Sequence, residues 1–197
     1  MAALLDAFIA VPDIRERHAT EVDAPADLVF EVARHFDMQS VPLVRSIFWL
    51  RGRLMRSQPR AARPPGALDP ASLIAMGWGQ LLEVPGRCFI AGAVCQPWRA
   101  DVVFTPIPPE QFAAYAEPDQ VKIAWTLEVE PLGTGRTRLA TETRAAATDE
   151  QARTRFRRYW SLARVGIVGI RLLLLPAIRR EAVRRWRAGN GIPPGGT

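Results

Sequence analysis

Two runs of strict alternation followed by a helical stripe constrain this chain more than any other feature. Val121, Ile123, Trp125, Leu127 and Val129 interleave with Lys122, Ala124, Thr126, Glu128 and Glu130. Thr137, Leu139, Thr141, Thr143 and Ala145 interleave with Arg138, Ala140, Glu142 and Arg144. A period of two marks half-buried strands. After Thr148 the period changes, and Phe156, Tyr159, Trp160, Ala163, Ile167, Ile170 and Leu174 recur at helical spacing. Two antiparallel strands running into a long amphipathic helix predict an α+β fold, with the helix laid across the concave side of a curved antiparallel sheet. Such a fold can enclose a cavity, and a cavity points to a small-molecule binder.

The last helix has a strong start signal. Thr148-Asp-Glu-Gln151 reads as a capping box, in which hydroxyl and amide side chains satisfy exposed backbone donors reciprocally. Uninterrupted to Arg187 it would be about 60 Å long at ~1.5 Å per residue, long for a domain of this size. A bend or break is therefore expected between Gly166 and Gly169 or at Pro176.

Upstream, residues 1–13 read as a loosely attached lead. Arg15 to Val22 suits a first strand with His18, Thr20 and Val22 on one face. Asp23-Ala-Pro25-Ala-Asp27 opens a helix with Asp23 or Ala24 near its cap; Leu28, Val29, Val32 and Phe36 form its apolar stripe. Ser40 to Arg56 reads as a second amphipathic helix, Gln58 to Gly66 as a Pro/Arg-rich loop, and Asp69-Pro70 as the cap of a short helix stopped at Gly77. Gln80 to Val84 and Cys88 to Trp98 form a hairpin about Pro85-Gly86. Ala100 to Phe104 suits another short strand, and Glu110 to Tyr115 a helical turn. The organisation is a lead (1–13), one domain (14–188) whose last helix begins near 148, and a flexible tail (189–197).

Two segments carry a family resemblance. Glu21-Val-Asp-Ala-Pro-Ala-Asp-Leu-Val-Phe30 looks like a first strand entering an "Ala-Pro, then Val-aromatic" helix, and Thr137-Arg-Leu-Ala-Thr-Glu-Thr-Arg144 precedes a capped helix. Both resemble the START-like (SRPBCC) superfamily, which includes polyketide cyclases and aromatases, pollen-allergen relatives and lipid-transfer domains. Phe156-Arg-Arg-Tyr-Trp160 resembles a bacterial branch of it without an assigned reaction. The resemblance covers residues 15–165 and implies the helix-grip fold. The helical Ser40–Gly77 region exceeds a minimal member, so extra helices are expected between the first strand and the rest of the sheet. In the resembled fold the first strand neighbours the last, which would bring His18 near Thr141 and Thr143.

Candidate ligand-contacting residues follow from that placement. A His beside two hydroxyls could orient a polar ligand group or move a proton, so His18 is a weak catalytic candidate. Tyr159, whose hydroxyl needs a partner when buried, is the second. Trp78, Trp98 and Trp125 offer large apolar faces, and Phe156, Tyr159 and Trp160 face the sheet from the helix. Thr141 and Thr143 complete the ligand-binding set. Each Trp also has a plain alternative as core. Glu128, Glu130 and Glu142 fall on the polar, outward strand face.

The net charge is +6 and uneven. Residues 149–187 hold eleven arginines against Asp149, Glu150 and Glu181, so the basicity belongs to the last helix. Arg153, Arg157, Arg164 and Arg171 read as a solvated face. Arg179, Arg180, Arg184, Arg185 and Trp186 are candidates for contact with anionic lipid headgroups. Nucleic-acid binding is not expected, because the strands lack interleaved aromatic and basic positions. Two His and two Cys without close spacing give no metal set, and no phosphate loop, dinucleotide fingerprint or nucleophile elbow occurs; no cofactor is expected. No stretch of about 18 uninterrupted apolar residues exists, since Arg171 breaks Val165 to Ile178, and no signal peptide is evident; the expected location is cytoplasmic. Cys88 and Cys95, seven apart, point to opposite strand faces and read as free buried thiols.

Three functions fit. The first is binding or carriage of a small hydrophobic molecule, lipid or polyketide-like, between sheet and last helix. The second is a cyclase- or dehydratase-like enzyme. The third is a peripheral membrane or interaction module using the basic helix. Oligomeric state is not legible.

Overall fold

The computed structural model describes residues 2–43, 46, 53 and 69–190. Among them, five strands form one antiparallel sheet: β1 (Ile14–Val22), β2 (Gly79–Val84), β3 (Cys88–Cys95), β4 (Val121–Gly133) and β5 (Arg136–Ala147), in the order β1-β5-β4-β3-β2. Helix α1 (Ala26–Arg34) follows β1, α2 (Pro70–Ala75) precedes β2, α3 (Pro109–Phe112) precedes β4, and α4 (Glu150–Gly189) closes the domain. A curved antiparallel sheet against a long C-terminal helix is the helix-grip arrangement. The extra helix expected over Ser40 to Arg56 and the loop from Gln58 to Gly66 lie almost wholly outside the described residues, as does the tail beyond Asn190.

β1 pairs with β5 in the register His18 opposite Thr141 and Glu16 opposite Thr143, as the resemblance implied. β4 sets Trp125 opposite Thr143. With the pleat alternating, Glu16, His18, Trp125, Thr141 and Thr143 share the concave face. β2 carries an irregularity between Gln80 and Leu82 where it pairs with β3.

Two apolar clusters hold α4 against that face. At its C-terminal half, Leu175, Ile178 and Ala182 are buried with Val22, Val29, Phe30, Phe89, Leu127 and Leu139. At its N-terminal end, Phe156 is buried with Val121 and Ala145. α1 shares the first cluster through Val29, Phe30, Val32 and Ala33. Its cap is Pro25, one or two residues later than expected, because Ala24 is itself buried and its carbonyl accepts a 2.7 Å bond from Thr137 Oγ1. Asp69 caps α2 as expected, accepting from Ser72 N at 2.8 Å, and Gly77 ends that turn at φ 99°. A Cβ at Gly77 would sit 2.3 Å from Phe104 O, so only glycine fits.

Several expectations are corrected. The lead is not loose: Ala2–Ala7 forms a 3-10 helix, and Leu5 and Ile9 are buried on the outer face of the sheet with Ile90, Phe112, Ala124 and Ala146. Outward alternation of β5 therefore does not mean exposure. Glu142 and Arg144 lie buried on that face, with Arg144 Nη1 donating to Asp6 and to Ile9 O at 2.8 Å. The cap of α4 is Asp149, whose carboxylate accepts from Ala152 N at 2.7 Å. Thr148 is occupied elsewhere: its Oγ1 accepts from Gln120 N at 3.1 Å and donates to Gln120 O at 3.0 Å. No strand forms over Ala100 to Phe104; only Thr105 bridges to Val94.

α4 runs without interruption through Gly166, Gly169 and Pro176, so of the bend or break expected there the break does not occur. Pro176 deprives the carbonyl four residues earlier of its donor, and that residue, Leu172, is exposed, so water can replace it. The helix also avoids the size constraint, because it crosses the sheet and continues along α1 rather than being enclosed. α4 is long and apolar enough to cross a bilayer by length and composition, which a count of uninterrupted apolar residues missed. Its two buried ends nonetheless fasten it to the sheet.

Candidate functional site

α4 is fully buried only near its ends, at Ala152 and Phe156 and then at Leu175, Ile178 and Ala182. Between them, Ala163, Ile167, Ile170 and Leu174 of the predicted stripe are half-buried. The sheet beneath this middle section carries polar side chains: Glu16 and His18 from β1, Thr141 and Thr143 from β5. The two apolar clusters are thus divided by a polar band.

Arg171 reaches into this band from the helix. Its Nη2 donates to Thr143 Oγ1, while its Nη1 is buried with no hydrogen-bond partner. Burial pulls its pKa below the ordinary arginine value, and the nearby Glu16 carboxylate opposes that pull. Glu16 itself accepts from Arg164 Nε at 3.2 Å and lies 3.9 Å from His18 Nε2. His18 Nε2 is buried and also has no hydrogen-bond partner. Thr143 is nearly covered at 9% exposure, and Thr141 is half-buried.

The arginine row predicted to be solvated is exposed at Arg157 and Arg164, and it also forms the fastening edge of α4. Arg153 Nε pairs with Asp13 Oδ1 at 2.7 Å, Arg157 lies 4.0 Å from the same carboxylate, Arg164 meets Glu16, and Arg171 meets Thr143. Sequence reasoning missed Arg171 and Glu16 as site residues. The signal was present: Ile167, Arg171, Leu174 and Ile178 keep helical spacing, which puts Arg171 inside the apolar stripe rather than opposite it.

An aromatic wall adjoins the polar band. Trp125 lies 5.6 Å from Phe89 and 6.4 Å from Trp78, centroid to centroid, and Trp78 packs at 4.9 Å on Phe104. Arg34 stands 4.0 Å over the Phe89 ring, a cation–π contact. Trp78 and Trp125 are only half-buried, so their faces are partly available. Trp98, Tyr159 and Trp160 belong to the other cluster, around Phe156, where Tyr159 stacks on Phe156 at 6.5 Å and Trp160 at 6.1 Å. The six aromatic candidates thus divide between two ends of the concave face, with Thr141 and Thr143 in the polar band between them.

His18 and Tyr159 do not form a pair. His18 lies four residues along β1 from Ile14, which packs with Tyr159's cluster, or about 13 Å at ~3.3 Å per residue. Among the described residues no hydrogen bond joins them, and no group of three or more His, Cys, Asp and Glu could hold a metal ion.

The C-terminal arginines have partners of their own. Glu181 accepts from Arg184 at 2.7 Å and Arg185 at 2.8 Å, and Arg179 lies 4.0 Å from Asp23. The hydrogen bond from Arg184 holds the Glu181 carboxyl down at about 2; burial opposes it, and the hydrogen bond from Arg185 and both charges add to the lowering. Trp186 packs toward the first apolar cluster rather than outward. Arg180 and Arg184 line an open recess of about 320 Å³ with Phe36, Ser40 and Glu181. A second recess of about 220 Å³ lies on the outer sheet face, among Arg17, Glu128, Glu130, Arg138 and Ala140. Neither opens between α4 and the concave face, where the sequence placed the cavity.

No family model and no curated protein matches the sequence. Solved structures similar to this chain include a conserved protein from Geobacillus kaustophilus, at 11% identity and a TM-score of 0.39, covering 87% of this chain and 96% of the other. ZhuI aromatase/cyclase from Streptomyces sp. R1128 is 15% identical with a TM-score of 0.35, over 91% and 99% of the two chains. Norcoclaurine synthase from Thalictrum flavum is 14% identical with a TM-score of 0.32, over 86% of each chain.

Proposed function

We propose that a cleft opens between the concave sheet face and the middle of α4, and that the protein binds a small hydrophobic molecule there. The observation that carries this reading is the way the helix is held: fully buried side chains fasten it at both ends, while its middle stays half-buried over a partly exposed face. Half-buried Trp78 and Trp125 supply an apolar wall at one side of that cleft, and unsatisfied polar atoms lie beside it. A solid core would instead bury the middle of the helix and leave few polar side chains beneath it. Native mass spectrometry of the purified protein tests the reading through co-purifying mass. A titration with the naphthalene dye 1-anilinonaphthalene-8-sulfonate, read by tryptophan emission, tests it in parallel. Saturable binding weakened at least about fivefold by Trp125→Ala supports the cleft, and absence of both bound mass and saturable binding removes it.

A second reading has its own observation. Leu162, Val165 and Leu172 are 85%, 81% and 60% exposed along one side of α4, and arginines flank them at both ends of the helix. An apolar strip between cationic ends suits the surface of an anionic bilayer. Sedimentation with vesicles containing phosphatidylserine, reduced by Leu162→Glu with Val165→Glu, supports surface contact. Equal recovery of both proteins in the supernatant rejects it.

A further inference from the structure

The polar band beneath α4 holds a guanidinium, Arg171, whose neighbouring carboxylate, Glu16, is also engaged by Arg164 and lies 3.9 Å from His18. Among the described residues, every carboxylate near it is already engaged: Glu16 meets Arg164 at 3.2 Å, and Asp13 meets Arg153 at 2.7 Å. Among the described residues Arg171 forms no ion pair within 4.0 Å, and its hydrogen bond goes to a neutral hydroxyl. One guanidinium nitrogen, Nη1, is buried and has no hydrogen-bond partner. A buried cation so placed is costly unless something anionic completes it.

A second unsatisfied group lies in the adjacent row. His18 stands opposite Thr141 and Arg171's partner Thr143 stands opposite Glu16, so the two rows are next to each other on one face, about 6.6 Å apart along the strand. His18 Nε2 is buried without a hydrogen-bond partner, like Arg171 Nη1. Thr141 adds a hydroxyl that can donate or accept. The set is the Arg171 cation with neighbouring groups able to hydrogen-bond, beside a Glu16 carboxylate already held by Arg164, and it is bordered by the apolar clusters on either side.

We infer that Arg171, with His18, forms a subsite for the carboxylate head of an amphipathic ligand whose apolar body lies along the cleft toward Trp125. This rests on the binding reading above and specifies its chemical class. A carboxylate brings one negative charge and two acceptor oxygens, matching one guanidinium and the donors beside it. A phosphate monoester would bring nearly two charges and three acceptors, whereas among the described residues the other cation of this band, Arg164, is already paired with Glu16.

The test compares carboxylates with their neutral alcohols by isothermal titration calorimetry on the full chain. Dodecanoate against dodecanol covers an aliphatic body, and 2-naphthoate against 2-naphthalenemethanol an aromatic one. At least one acid is expected to bind ten times more tightly than its alcohol. Arg171→Met should reduce that preference to less than twofold while alcohol binding stays within twofold. Arg171→Lys, which keeps the charge and loses the fork, should retain part of the preference. Which pair shows the preference identifies the body as aliphatic or aromatic. Equal binding of acid and alcohol by the unaltered protein overturns the carboxylate subsite and leaves the cleft reading intact. No binding by any of the four overturns both. A preference that survives Arg171→Met in a variant with an unchanged circular dichroism spectrum assigns the head to another group and also overturns it.

Discussion

Arg144 Nε lies 2.7 Å from Glu142 Oε1, two residues away on the same outward face of β5, and both side chains are 3% exposed. The pair is covered by the N-terminal segment, and Arg15 adds a second cation 2.9 Å from the same carboxylate. An ion pair taken out of water needs this kind of full hydrogen bonding to be tolerated, and removing one member leaves the other buried alone.

Acid should therefore weaken the fold through this carboxylate. Burial raises the Glu142 pKa, but hydrogen bonds from Arg144 and Arg15 and their charges outweigh it and hold it below 4.5. A carboxyl depressed in the folded state contributes stability that is complete above its unfolded value and lost as pH falls through its folded value. Urea midpoints should thus fall below about pH 4.5, with Glu181 contributing in the same direction. Glu142→Gln should cost about 2–3 kcal/mol at pH 7 and flatten the acid slope. An unchanged slope in the variant would show that the pair does not govern acid stability.

Leu5→Ala should destabilise the domain by about 2–3 kcal/mol, because Leu5 is only 2% exposed and leaves a cavity over Ile90 and Phe112. Urea denaturation measures it. A change under 0.5 kcal/mol would mean that the segment is peeled away in solution.

Gly92 admits no side chain without displacement. A Cβ there would lie 2.6 Å from Leu81 Cδ1 and 2.8 Å from Phe112 Cε2. Gly92→Ala is expected to cost about 1–3 kcal/mol through overpacking. Pairing it with Phe112→Leu should recover part of that loss in a thermal melt, and a strictly additive pair would argue against contact.

The thiols should be inert in the folded protein. Burial, then the charge of Glu128, pushes Cys88 up to about 12. Cys95 is also buried and is not in a disulfide. Ellman's reagent at pH 8 should titrate neither until denaturant is added. Rapid stoichiometric reaction of either would contradict this.

The sequence made strands and helix ends legible wherever one period dominated. The β4–β5 alternation, the Asp69 cap and the His18–Thr141 neighbourhood were all readable, the last through the family resemblance. What failed were inferences from solvent. Alternation in β5 distinguished two faces but could not say that Leu5 and Ile9 would cover the polar one. Arg171 looked like a break in an apolar run, since residue type rather than helical position was weighed. Thr148 matched a capping pattern, but a tertiary hydrogen bond to Gln120 claimed its hydroxyl and passed the cap to Asp149. The division of the aromatic residues into two clusters depends on how α4 crosses the sheet, and no local pattern encodes that crossing.

The mismatch between Gln80 and Leu82 has a bearing on how this chain meets copies of itself. β2 is one rim of the sheet, and a strand that slips register there presents donors and acceptors out of step with an incoming strand. The opposite rim, β1, sets Arg15 and Arg17 into solvent. Both open margins are thus poor templates for growth, and lateral stacking into fibrils is disfavoured by the same strands that shape the cleft.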